Sequence, residues 1–111
     1  MMKEVVIVVP VYRDDPPKEE QASFRQCLSV LGHYDIILLT YKGLDCSVYE
    51  TIAEGYSYKL RKEFFDANFF NSVAGYNRLC LNVDFYARFQ DYHFMLIYQL
   101  DAFVFSDKLV L

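Results

Sequence analysis

Five apolar residues in succession, Val5 to Val9, stand near the start of the chain and are closed by Pro10. The run is short, rich in β-branched residues and free of polar ones. A strand of that kind is buried on both faces, as in the interior of a parallel sheet. Parallel neighbours cannot be joined by a tight hairpin, so each connection needs a crossover, usually a helix. The feature therefore asks for further buried strands, with helices between them.

The sequence supplies both. After Pro10, "RDDPPKEE" marks the start of a helix. Pro16 is held extended by Pro17, Pro17 suits the first helical position, and Glu19 and Glu20 favour the positive end of the dipole. The helix continues with Phe24, Cys27, Leu28 and Leu31 on one face and ends at Gly32. "YDIILLT", Tyr34 to Thr40, reads as a second buried strand. "SVYE" at Ser47 to Glu50 reads as a capping box, which predicts a short helix to about Glu54 with Gly55 after it. "YSYKLRKE" alternates and carries Lys59, Arg61 and Lys62, the marks of an edge strand.

From Phe69 to Phe89, apolar residues recur at helical spacing: Phe69, Val73, Tyr76, Cys80, Val83, Tyr86 and Phe89. Asn71 or Ser72 is suited to cap this segment, and Asn82 to cap a second, shorter helix after a break. "HFMLIYQLD" is the fourth and most apolar strand. The order β-α-β-α-β-α-β implies a parallel sheet with helices on its faces, an α/β fold.

The 111 residues fit one domain, and a 54% hydrophobic, 18% aromatic composition argues against disorder. A formal charge of -4 leaves no basic stripe for phosphates, so no nucleic acid is expected as a partner. Three widely spaced cysteines, Cys27, Cys46 and Cys80, suggest neither a disulfide framework nor a zinc site. His33 and His93 have no ligand-spaced companions. No leader and no membrane-spanning run is visible, which gives the expectation of a cytoplasmic protein.

In open parallel sheets, ligands bind beyond the carboxyl ends of the strands, near a switch point. Two segments fall at such ends: Pro10, Val11 and Tyr12 after the first strand, and Gln99 and Asp101 after the fourth. An acid interrupting the most apolar segment of the chain needs a partner or a site, because burying it unpaired is costly. Tyr12 offers a ring for stacking. Asn77 and Arg78, on the helix before the fourth strand, offer an amide and a guanidinium whose fork fits phosphate. The "RDDPPKEE" acids read as a solvated helix start, and no glycine-rich phosphate loop is present.

"VVIVVPVYR", "GYNRL" at Gly75 to Leu79 and "YQLDAFVF" at Tyr98 to Phe105 together resemble a bacterial domain-of-unknown-function family of the GT-A glycosyltransferase superfamily. The resemblance covers nearly the whole chain but only the front half of the family domain. It implies a Rossmann-like, three-layer α/β/α fold with sheet order 3-2-1-4. It also implies a nucleotide-diphosphate sugar as ligand, held by Pro10, Val11, Tyr12, Asn77, Arg78, Gln99 and Asp101. In GT-A enzymes the fourth strand ends in Asp-x-Asp, which holds Mg or Mn on the diphosphate. Here Gln99 replaces the first acid and only Asp101 is left to bind such a metal. The second strand ends in "LTYKG", without the acids that many relatives carry there, and Lys42 is a candidate phosphate contact.

Two function classes follow. In the first, residues 1–111 form a single incomplete nucleotide-sugar-binding domain, the front half of a glycosyltransferase-like protein, inactive by itself. In the second, the fold is kept as a non-catalytic interaction or assembly module. Both carry the expectation of a homodimer or larger oligomer through the exposed edge of the fourth strand. An unrelated small α/β regulator is disfavoured, since a receiver-type domain needs acids after its first and third strands.

Overall fold

The structure is a computed structural model that describes residues 3–100. Four strands, β1 (Lys3–Pro10), β2 (Asp35–Thr40), β3 (Arg61–Phe64) and β4 (Tyr92–Ile97), form one sheet in the order β3-β2-β1-β4. Every pairing is parallel. The crossovers carry α1 (Lys18–Leu31), α2 (Ser47–Gly55), a 3-10 turn (Ala67–Phe69), α3 (Val73–Cys80) and α4 (Val83–Ala87). This is the α/β, Rossmann-like arrangement with the expected strand order.

Alternation along the strands builds two apolar layers. Ile7, Val9 and Val11 of the β1 segment face Phe24, Cys27 and Leu28 of α1 and Tyr49 and Ala53 of α2. Val6 and Val8 face the opposite way, onto Leu79, Phe85 and Phe89 of the α3–α4 region. Ile36 and Leu38 join the first layer and Ile37 and Leu39 the second, so β1 and β2 are buried on both faces. Both physical demands of the opening apolar run are thereby met.

Several boundaries differ from the sequence reading. Pro17 is the N-cap of α1 rather than its first helical residue, with Lys18 opening the helix. Ser47 already lies inside α2; Cys46 stands at the N-cap and the Ser47 amide donates to Asp45 Oδ1 at 2.9 Å. That bond holds the Asp45 carboxyl below its ordinary value. Gly55 is the last helical residue of α2, and Ser57 takes the left-handed backbone (φ 55°) in the turn that follows. Tyr34 stays outside β2 because its amide donates to Leu31 O. β3 is confined to Arg61–Phe64; Tyr58 lies before it, its hydroxyl donating to Tyr34 O and accepting from Ile36 N.

β4 is an edge strand among the described residues. His93 and Phe94 are exposed, Phe94 by 64%, while Met95, Leu96 and Ile97 are half-buried. No helix among the described residues is long and apolar enough to cross a membrane.

The cysteines are free, Cys27 and Cys46 buried and Cys80 half-buried. Burial raises the Cys27 thiol from 9.0 to about 12. Between those values the unfolded chain binds fewer protons than the folded one, so stability falls as pH rises. Burial acts on Tyr49 in the same direction. The melting temperature should therefore drop from about pH 9 upward, and less steeply in Cys27→Ala than in the parent. Parallel melting curves for the two proteins between pH 8 and pH 11 would remove Cys27 as a cause.

Candidate functional site

α1 and α2 cover one face of the sheet and α3 and α4 the other. The strand order turns back at β1, with β2 on one side and β4 on the other, and a crevice opens between the carboxyl ends of β1 and β4. A cleft of about 420 Å³ lies there, lined by Pro10, Tyr12, Glu20, Phe70, Asn71, Ser72, Tyr76, Asn77, Gln99 and Leu100.

Each wall is fixed by the local sequence. Pro10 ends β1, and the next amide, Val11 N, donates to Leu39 O at 2.9 Å, which ties the outgoing loop to β2. Val11 is thus turned into the core and Tyr12 outward, where it is 39% exposed. The loop is held from below by Tyr49, whose hydroxyl donates to Arg13 O at 3.0 Å. The Arg13 guanidinium lies 5.2 Å from the Tyr12 ring centre and 3.3 Å from Glu20 Oε2. Glu20, in the first turn of α1, is only 8% exposed.

The opposite wall begins with Phe70, packed 5.6 Å from the Tyr41 ring. Asn71 and Ser72 follow, and Ser72 caps α3 by accepting from Gly75 N at 2.9 Å. Tyr76 and Asn77 then face the cleft. Gln99 closes the end of β4, its Nε2 donating to the Tyr76 hydroxyl at 3.0 Å. Gln99 is placed by its neighbour: Tyr98 N donates to Val8 O, and the buried Tyr98 hydroxyl donates to Ser23 O of α1 at 3.2 Å. The position after the strand is therefore anchored to both the sheet and a helix.

Of the residues singled out from sequence, Pro10, Tyr12, Asn77 and Gln99 meet in this cleft. Val11 belongs to the core beneath it. Arg78 is exposed and outside the lining, because one further helical residue turns it away from the wall that holds Asn77. Lys42 lies in a separate groove with Asp66, Asn82 and Arg88, beyond the ends of β2 and β3. Asp101 lies outside the described residues.

The sequence reading did not single out Glu20, Phe70, Asn71, Ser72 and Tyr76 as site residues. For Glu20 a signal existed: it stands four, seven and eight residues before Phe24, Cys27 and Leu28, on the buried stripe of α1. It is not part of a solvated helix start. Tyr76 reads from sequence as part of the apolar helix face, and Asn71 or Ser72 as a cap alone.

The chemistry of the lining is aromatic and amide-rich. Among the described residues of the lining, three aromatic rings, three side-chain amides and one hydroxymethyl accompany one charged group, Glu20. Such walls suit a planar ring with polar edges. The one carboxylate is matched by Arg13, and no group of three or more metal-ligating side chains occurs among the described residues.

Residues 59–110 match the model of a family described as a protein of unknown function (DUF5672). The match spans the wall formed by Phe70 to Asn77, the Gln99 position and Asp101. No curated protein and no solved structure matches the chain.

Proposed function

We propose that the cleft binds a nucleotide-diphosphate sugar, in the manner of the donor half of a glycosyltransferase-like domain. The observation that carries this reading is the convergence of Tyr12, Tyr76, Asn77 and Gln99 at the switch point between β1 and β4. Sequence-distant residues brought to the carboxyl ends of two adjacent parallel strands are what this fold class uses to hold nucleotides. Tyr12 presents a half-exposed ring for a base, and the amides supply donors and acceptors for its edge. Asp101, two residues after Gln99 in the sequence, is the acid that the resemblance assigns to a metal-bridged diphosphate.

Calorimetric titration of the full chain with ADP, CDP, GDP, UDP and their glucose conjugates tests the reading. One base series is expected to bind. Tyr12→Ala should weaken it roughly tenfold or more, the usual value of one base–aromatic stack. Tyr12 is too exposed for the loss to come from unfolding, and an unchanged melting temperature checks that.

A second reading, an assembly module working through β4, draws on the exposure of Phe94 on the edge strand. Under it, none of these nucleotides binds or shifts the melting temperature. That outcome would end the nucleotide-sugar reading.

A further inference from the structure

A base that stacks on Tyr12 meets a side chain that stands on a loop and is 39% exposed. A tyrosine left to itself there would swing among rotamers, and ordering it on binding would cost affinity. What lies against the ring is its neighbour, Arg13. The guanidinium carbon is 5.2 Å from the Tyr12 ring centre, and Nη2 is 3.5 Å from the Tyr12 hydroxyl. A cation at that distance is attracted by the quadrupole of the ring.

Arg13 is itself fixed at both ends. Its carbonyl accepts from the hydroxyl of Tyr49, a buried residue of α2. Its guanidinium pairs with Glu20 of α1, Nη1 to Oε2, at 3.3 Å. Among the described residues that is its ion pair, although Asp14 and Asp15 stand next to it in sequence. Two helices thus hold the residue that touches the ring. Tyr12 lines the cleft and Arg13 does not, so the guanidinium braces the ring from beyond the cleft wall.

We propose that Arg13 is a positioning residue: held by Glu20 and Tyr49, it fixes the orientation in which the Tyr12 ring meets the base of the ligand. It acts through Tyr12 and makes no contact with phosphate. The proposal rests on the nucleotide-sugar reading, and adds to it that the stacking ring is set before the ligand arrives.

A half-exposed arginine has another obvious use, a direct bond to the diphosphate. A double-mutant cycle separates the two. The full chain, Arg13→Ala, Tyr12→Ala and the double variant are titrated with ADP, CDP, GDP and UDP. Arg13→Ala is expected to weaken binding roughly two- to tenfold, the usual cost of immobilising one side chain. In the Tyr12→Ala background the same change should cost nothing. Arg13→Gln, which keeps a longer stem but loses the cation, should repeat the result and serves if alanine disturbs the fold. Nuclear magnetic relaxation of isotope-labelled tyrosine gives a readout without ligand. The Tyr12 ring, assigned by the signal lost in Tyr12→Ala, should move more in Arg13→Ala than in the parent.

An equal loss of affinity in both backgrounds overturns the proposal and makes Arg13 a phosphate contact. Unchanged affinity at a lower melting temperature also overturns it, leaving Arg13 a partner of buried Glu20 only. A Tyr12 ring no more mobile in Arg13→Ala than in the parent does the same. Failure of every diphosphate to bind the parent overturns the nucleotide-sugar reading, and this proposal with it.

Discussion

Phe85→Ala is expected to destabilise the protein by about 3–5 kcal/mol, the usual cost of deleting a buried aromatic ring. Domains of this size have about 5–15 kcal/mol in all, so a large share would be lost. Phe85 is 1% exposed and lies at the centre of a cluster. Its ring meets Phe65 at 5.9 Å, Tyr86 at 5.0 Å and Phe89 at 5.7 Å, each edge to face. The effect is amplified by the helix that carries it. α4 has five residues, Val83–Ala87, far below the length at which a helix holds itself together in water. Its Asn82 cap, accepting from Asp84 N at 2.8 Å, contributes about 1 kcal/mol. The rest must come from Phe85 seated on Val8 and Leu39 of the sheet. Without the ring, Arg88 also loses its frame: it lies 4.3 Å from the Phe65 ring centre and pairs with Glu63 at 2.9 Å. Urea unfolding should show a lower midpoint at unchanged slope. A loss under about 1 kcal/mol would mean that α4 is held by something other than this cluster.

The parts of the fold that were legible from sequence are those where one physical signal had no competitor. The Val5–Val9 run could only be a doubly buried strand, and it lies at the centre of the sheet. Asn71 or Ser72 suits the start of the helical pattern and Asn82 a second helix after a break, and of these Ser72 and Asn82 cap. Legibility failed where two groups contended for one role. "DCSVYE" holds Asp45 and Ser47, two cap formers two residues apart, and Asp45 captured the amide while Ser47 entered the helix. "YSYKLRKE" alternates from Tyr56 to Arg61, yet Tyr58 serves β2 by bridging Tyr34 and Ile36, and pairing starts only at Arg61.

The site divides in the same way. That Pro10, Tyr12 and Gln99 share one cleft is legible because strand ends are legible once strands are. Tyr76, Asn71 and Glu20 are not legible as cleft residues because each also satisfies a structural rule: an apolar helix position, a cap, an acid near a helix start. Composition and spacing cannot separate a residue that only obeys such a rule from one that also faces a cleft. Burial separates them. Glu20 at 8% exposure is outside what a dipole partner needs, whereas Glu19 is within it.

Gly75→Ala should cost both stability and binding, although alanine is the better helix former. The substitution gains up to about 1 kcal/mol in propensity. Against that, an added Cβ would fall inside contact distance of the backbone oxygen of Asn68 and lie 3.3 Å from the Phe69 Cα. A backbone oxygen cannot swing aside as a flexible side chain does. The 3-10 turn Ala67–Phe69 or α3 must shift, at a cost of about 1–3 kcal/mol by the measure of overpacked cores. The turn has little freedom to yield, since Asp66 Oδ1 accepts from Asn68 N at 2.9 Å and Phe70, just beyond it, is buried. α3 therefore moves, and it carries Tyr76 and Asn77 away from the wall that Gln99 completes. A site residue displaced by about 1 Å suffices to lose much of a binding geometry. The expected result is a lower urea midpoint together with weaker nucleotide affinity, in a variant whose changed atom touches no ligand. A Gly75→Ala protein as stable as the parent would show that the close approach of α3 to the turn is not a constraint on the fold. Lower stability with full affinity would instead separate the turn from the cleft, and would place the binding groups on β1 and β4 alone.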